Sequence, residues 1–228
     1  AKPEDSSINE WMIGYLLANQ SVSAQSLSVF KPSVCNRLDR NTSGLVLCGK
    51  SLRGSQVLSS VLKSRTLDKF YLTYVQGDLH EEIRHQAFLI KNDKTNKVHV
   101  YASKEEAQEK LLEGQKLSEI STWIKPVAYD ENYNVTKLEI KLITGKSHQI
   151  RAHLSYLGYP LLGDKKYGYK ESNKDLQIYS HQMLHAYKVC FAKDFLLEAL
   201  QGKTLETTLP HAFQQLEKQL CLHGIPED

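Results

Sequence analysis

The stretch Asn36-Arg37-Leu38-Asp39-Arg40-Asn41-Thr42-Ser43-Gly44 sets one carboxylate between two guanidinium groups in a turn-rich run. Flanking positive charge favours a carboxylate anion, so Asp39 is expected to stay ionised. The succession Asn41, Thr42, Ser43 and Gly44 favours a tight turn that holds such a group at a strand's edge. The same residues suit a surface ion-pair cluster, and taken alone they do not decide between the two. In KFYLTYVQG, the period of two puts Lys69, Tyr71, Thr73 and Val75 on one face, with Phe70, Leu72 and Tyr74 on the other. Lys69 beside Tyr71 offers a phosphate contact next to a stacking ring, or simply a half-buried strand with an edge lysine. In HQIRAHLSYL, Ile150, Leu154 and Leu157 make an apolar helical stripe with Arg151 at its flank. From there the guanidinium reaches over the core edge to a carboxylate, or out to water.

Two other patterns attract attention and carry less. GLVLCGKS (44–51) formally matches the phosphate-loop pattern G-x-x-x-x-G-K-S. That chemistry needs the middle residues in a loop, whereas Leu45-Val46-Leu47-Cys48 is an apolar run expected to be a strand. HQMLH (181–185) spaces two histidines four apart, but Gln182 stands where a zinc hydrolase needs glutamate. Ordinary polar or core histidines are the better reading of that pair.

The elements that must position these residues follow from periodicity. Helices are expected over 8–18 (Ile8, Trp11, Met12, Tyr15, Leu16 at helical spacing), 52–64 (with Leu58, Val61 and Leu62 on one face), 103–113, 148–158 and 210–221. Strands are expected at 45–48, 69–77, 84–91, 97–102, 119–129, 135–143 and 185–191. Strands in succession without regular βαβ alternation imply an α+β fold with a largely antiparallel sheet.

The chain has 228 residues, 41% hydrophobic and 24% charged, which excludes collagen-like and wholly disordered classes. No apolar run is long enough to span a membrane as a helix. The net charge of +3 conceals asymmetry. Residues 31–70 hold eight Lys/Arg against two Asp, and residues 137–170 hold seven against two acids. Residues 194–228 hold two Lys against six acids. Two basic stretches a hundred residues apart form one anion-binding surface if the fold brings them together, or two unrelated solvated faces if it does not. Cys35, Cys48, Cys190 and Cys221 contain no CxxC pair, so neither a zinc knuckle nor a disulfide framework is signalled. Scattered thiols fit a reducing, cytoplasmic setting.

Taken together, the segments resemble the RluA-type pseudouridine synthases, of which the large-subunit ribosomal enzymes RluC and RluD are examples. NRLDRNTSGLVLCGKS is similar to that family's HRLDRxTSGLLLxAK signature, and DKFYLTYVQG to its K-x-Y-x-A-x-V-x-G strand. ITGKSHQIRAHLSYLGYPLLGDKKYG is similar to TGRTHQIRxHLxxxGxPIxGDxxYG, and LHAY (184–187) to a late LHA motif. The likeness covers about residues 30–215, in matching order and rough spacing.

The resemblance implies a mixed, mostly antiparallel sheet in two abutting halves, with flanking helices and a central catalytic cleft. It implies that Asp39 is the catalytic aspartate, Tyr71 the tyrosine against the target base, and Arg151 the partner of Asp39. Arg37, Arg40, Lys69, Lys146, His148 and Gln149 would contact RNA. The implied partner is large-subunit ribosomal RNA, with transfer RNA as the alternative, and the enzyme would act as a monomer. No metal or other cofactor is signalled. Asn36 replaces the family's histidine, and Lys146-Ser147 replaces Arg-Thr, which keeps the charge but loses a planar fork for phosphate. The family's N-terminal N-K-P-x-G strand and S4-like module are not found, so residues 1–228 are expected to be a single catalytic domain lacking its N-terminal part. Two competitors remain at this stage. A silent RNA-binding module would not need Asp39, Tyr71 and Arg151 together. A glycosidase would need a second acid near Asp39, for which Asp68 and Asp164 are available but without an evident partner role.

Overall fold

The computed structural model describes residues 6–170, 176 and 180–226. The chain divides into two compact units. The first comprises Ala1–Leu38, Leu45–Leu67 and Cys190–Thr204. It contains helices α1 (Ile8–Ala18) and α2 (Ala24–Val29), strands β1 (Ser33–Val34) and β3 (Cys48–Gly49), and helix α3 (Leu52–Ser64). Ser7 and Glu10 form a reciprocal capping box that starts α1. Of the five apolar residues at helical spacing in α1, only Met12 and Leu16 are buried; Ile8, Trp11 and Tyr15 are exposed. The serine hydroxyl of Ser51 accepts from the Gly54 N–H and so caps α3, whose Leu58 and Val61 are buried. The phosphate-loop look-alike is thus split: Gly44 lies in the second unit, and Ser51 serves as a helix cap in the first.

The second unit comprises Asp39–Gly44, Asp68–Val189 and Leu205–Asp228. In chain order it carries β2 (Ser43–Gly44), β4 (Asp68–Gln76), β5 (Ile83–Asn92), β6 (Lys97–Tyr101), α4 (Lys104–Glu109), β7 (Leu117–Asp130), β8 (Val135–Leu142), α5 (Gln149–Tyr156), β9 (Leu184–Cys190), β10 (Thr204–Glu206), α6 (His211–Gln219) and β11 (His223–Gly224). The sheet runs β10-β9-β4-β8-β7-β5-β6, with β11 antiparallel to β7 and β2 parallel to β9. The contacts β4–β8, β8–β7, β7–β5 and β5–β6 are all antiparallel. This is the mixed, mostly antiparallel α+β architecture expected.

Alternation decides the sheet's faces. Along β7, Ile120, Thr122, Ile124, Pro126, Ala128 and Asp130 are buried and their neighbours are not. A bulge between Pro126 and Ala128 accommodates a proline that cannot donate to the ladder. Phe213 and Leu216 of α6 pack on Tyr74, Val135, Leu162 and Met183. Ala152 of α5 packs with Ala87, Leu89, Val98, Ile120 and Tyr167.

One expected strand is corrected. Residues 45–47 have no strand structure, because the chain leaves β2, paired to β9, and enters β3, paired to β1. An apolar run shared between two sheets belongs fully to neither. The cysteines Cys35, Cys48, Cys190 and Cys221 are all unpaired.

Candidate active site

Asp39 opens a short loop closed by a Thr42 N–H to Asp39 carbonyl bond of 2.9 Å, with Asn41 in the left-handed region at φ 70°. Asparagine tolerates that conformation better than other non-glycine residues. The Asp39 carboxylate lies 3.7 Å (Oδ2 to Nη1) from Arg151, with both side chains largely enclosed. That is ion-pair contact without hydrogen-bond geometry.

The strong partner of Arg151 is another residue. Its Nε donates to Asp164 Oδ2 at 2.6 Å and its Nη2 to Asp164 Oδ1 at 2.8 Å. The Tyr167 ring lies against the guanidinium at 5.1 Å from its centroid. Burial draws the Arg151 pKa down, but the hydrogen bonds to Asp164 and the charges of Asp164 and Asp39 outweigh it, and the group stays charged. From α5, Arg151 thus reaches a buried carboxylate and not water. That helix buries Gln149, Ile150, Arg151, Ala152, His153 and Leu154 in succession, so it is enclosed nearly all round. Leu157, expected in the apolar stripe, is only half-buried.

Tyr71 stands on β4 in the interior of the sheet and is 7% exposed. Burial, reinforced by the Asp39 carboxylate, pushes its hydroxyl up to about 12, so it remains a proton donor at neutral pH. His148 precedes α5 at φ 54°, a left-handed conformation that costs a non-glycine residue about 1–3 kcal/mol. Its Nδ1 meets the Tyr167 hydroxyl at 2.7 Å, and that hydroxyl also accepts the Val98 N–H at 3.1 Å. Burial lowers the His148 pKa against the pull of Asp39, with Arg151 acting in the same sense as burial; the ring is neutral at pH 7.

The remaining expected contacts fall into three groups. Arg40 is exposed on the Asp39 loop, and Lys69 and Lys146 are half-buried. The Lys69 ammonium stands next to Gly145, where an added Cβ would lie 3.6 Å from it. Arg37 is exposed but belongs to the first unit. Gln149 is a correction. It is 2% exposed, its oxygen accepts from Thr144 Oγ1 and the Lys146 N–H, and its nitrogen donates to Ser121 O and Thr122 Oγ1. All four of its hydrogen-bonding positions are used inside the protein, so it braces the start of α5 and has nothing left for a ligand.

Neither Asp164 as the partner of Arg151 nor Tyr167 against its guanidinium is foreseen from the sequence. Their segment, GDKKYG, is bracketed by Gly163 at φ 76° and Gly168 at φ 97°, and that glycine spacing was the available signal of a fixed turn. The acids offered for a glycosidase are both engaged, Asp164 with Arg151 and Asp68 with Lys141 Nζ at 2.7 Å. Among the described residues no group of three His, Cys, Asp or Glu side chains is placed to hold a metal ion, and no helix is long and apolar enough to cross a membrane.

The carboxylate and guanidinium thus meet from segments distant in sequence, and the Tyr71 phenol, from a third, lies within the field of the Asp39 carboxylate. A family model described as RNA pseudouridylate synthase matches residues 16–156, a span that contains all three. The chain belongs to the RNA pseudouridylate synthase family.

Among its synthase relatives is an uncharacterized RNA pseudouridine synthase of Mycoplasma genitalium, 33% identical over 164 residues, covering 72% of this chain and 48% of that protein. Ribosomal large subunit pseudouridine synthase C of Haemophilus influenzae is 32% identical over 164 residues, covering 68% of this chain and 46% of its own length. The chain therefore spans about half the length of those relatives. The solved structure of human RNA Pseudouridylate Synthase Domain Containing 4 matches with a TM-score of 0.64 at 20% identity, over 88% of this chain and 81% of that one. At that identity the likeness is one of fold. It agrees with the α+β architecture described above.

Proposed function

We propose that this chain is the catalytic part of an enzyme that converts selected uridines of RNA to pseudouridine. The observation that carries the reading is the approach of Arg151 to Asp39, 3.7 Å apart in a largely enclosed setting, with the buried Tyr71 phenol in the field of the same carboxylate. In the isomerisation the bond from N1 of uracil to C1′ of ribose breaks and a bond from C5 to C1′ forms. The proton leaves C5 and N1 gains one, so nothing is consumed. Asp39 serves as nucleophile or base in this exchange. Arg151, gripped by Asp164, supplies a fixed positive charge beside it. An enclosed ion pair of this kind is costly to break from either side. Tyr71 packs against the base and, staying protonated, offers a hydroxyl donor rather than a base.

The glycosidic bond is out of reach inside a stacked helix, so the target nucleotide leaves the stack at a cost of about a few kcal/mol. Arg37, Arg40, Lys69, Lys146 and His148 contact the RNA, and because the arginines and lysines among them neutralise phosphates, affinity falls as salt rises. Large-subunit ribosomal RNA is the proposed substrate, supported by the name of the Haemophilus influenzae relative. The four unpaired thiols support work in the cytoplasm. Incubating the chain with total RNA from a synthase-deficient strain, then mapping pseudouridines, tests the reading. New sites in ribosomal RNA support it; sites only in transfer RNA move the substrate, and none at all contradicts it.

A further inference from the structure

The loop that carries Asp39 is tied at several points to one short segment, Gln182–Ala186, at the opening of β9. Gln182 Nε2 donates to the Arg40 carbonyl at 2.6 Å and reaches the Thr42 hydroxyl at 3.4 Å. The Ser43 hydroxyl and His185 Nδ1 are 2.8 Å apart. Ser43 and Gly44 pair in parallel with His185 and Ala186. Both anchoring side chains are enclosed, Gln182 at 7% and His185 at 2% exposure.

The same segment also grips the strand that bears Tyr71. The Thr73 hydroxyl donates to the Met183 carbonyl at 2.6 Å. Thr73 is two residues from Tyr71 on β4, hence on the same face. One stretch of five residues therefore locates both the Asp39 loop and the Tyr71 strand, and Arg40, Thr42 and Ser43, the residues it holds, follow Asp39 within four positions.

We propose that Gln182 and His185 are positioning residues, which set the place of Asp39 relative to Tyr71 and Arg151 without touching substrate. This rests on the functional reading above. The histidine pair in HQMLH is neither a metal motif nor merely core: its second member is the anchor, and Gln182 is the other. A misplacement of about 1 Å at a reacting group costs about a hundredfold in rate, so a loop held at two points by two side chains is where such a cost would originate.

The test uses the purified chain and an RNA that it modifies. His185→Leu and Gln182→Met should each lower the single-turnover rate by about ten- to a hundredfold, with RNA affinity within about threefold of wild type. His185→Asn, whose amide stands where Nδ1 stood and can pair with Ser43, should recover most of the rate. A residue that serves stability alone would not divide rate from affinity in this way. Hydrogen exchange on the same folded variants gives a readout independent of activity: the peptide covering Arg40–Gly44 should exchange faster, while the β7–β8 amides keep their protection. Rates within twofold of wild type in both variants, a loss confined to RNA affinity, or unchanged loop exchange would each overturn the proposal. A wild-type chain that makes no pseudouridine sinks the functional reading instead, and loop exchange then decides whether the two residues hold the loop.

Discussion

Asp164 holds Arg151 by two parallel hydrogen bonds, of 2.6 and 2.8 Å, and leaves the third guanidinium nitrogen 3.7 Å from Asp39. The arginine is therefore aimed by one carboxylate at another. Asp164 is 2% exposed and Arg151 6%, so neither charge has water to fall back on. Replacing Asp164 by Asn keeps the shape and removes the countercharge. Such a loss in an enclosed pair costs about 3–5 kcal/mol, and urea unfolding should show a drop of that size. At temperatures where the variant stays folded, it should also slow the reaction more than it weakens RNA binding.

Arg151→Lys asks whether charge alone suffices. A lysine cannot span both oxygens of Asp164 and still present a donor toward Asp39. The expected result is a fall in kcat/KM of about a hundredfold, or about 3 kcal/mol of transition-state stabilisation. A variant with wild-type kinetics would show that the fork geometry is irrelevant.

Acid sensitivity should arise in α5. His153 is fully buried, with Nε2 2.7 Å from His85 Nδ1 and Nδ1 2.9 Å from the Thr122 hydroxyl. Burial, helped by His85, pushes its pKa down to about 4 from the ordinary 6.5. The folded state thus binds the proton less readily than the unfolded chain. Its contribution to stability is complete above pH 6.5 and is lost as pH falls toward 4, by up to about 3 kcal/mol. Urea midpoints across that window should show the slope in wild type and a shallower one in His153→Gln.

Gly44 has φ +119°, and a Cβ there would lie 2.2 Å from the Ala186 carbonyl oxygen. Gly44→Ala must therefore shift the Asp39 loop off β9, with a stability loss of about 1–3 kcal/mol and a clear loss of rate. Gly114 provides the comparison: its φ is +77° but nothing lies within 4 Å of the added carbon. Gly114→Ala should cost about 1 kcal/mol and leave the rate unchanged, as thermal melts and single-turnover assays would show.

The parts of the site that were legible in sequence are those governed by local period or contiguous motif. Strand alternation puts Tyr71 on one face of β4 and the Asn, Thr, Ser and Gly run puts Asp39 in a turn, but it is the contiguous family motifs that single the two out. What was hidden depends on tertiary pairing. Asp164 lies 13 residues from Arg151 across two turns, and no helical or strand period links them. Gln149 was misread because a polar side chain beside a basic one looks like a surface donor, whereas the chain folds it inward against Ser121 and Thr122. Leu45–Leu47 was misread because hydrophobicity indicates burial without saying which sheet will claim a residue. His185 and Gln182 required the parallel β2–β9 pairing, which joins residues 142 apart.

The most direct test compares wild type with Asp39→Asn, a change of one atom that removes the carboxylate and preserves its volume. Both proteins are incubated with ribosomal RNA lacking the modification, and pseudouridine is mapped at nucleotide resolution. The account predicts discrete new sites with wild type and none with Asp39→Asn, while both bind the RNA with similar affinity. Equal pseudouridine formation by the two proteins would contradict it.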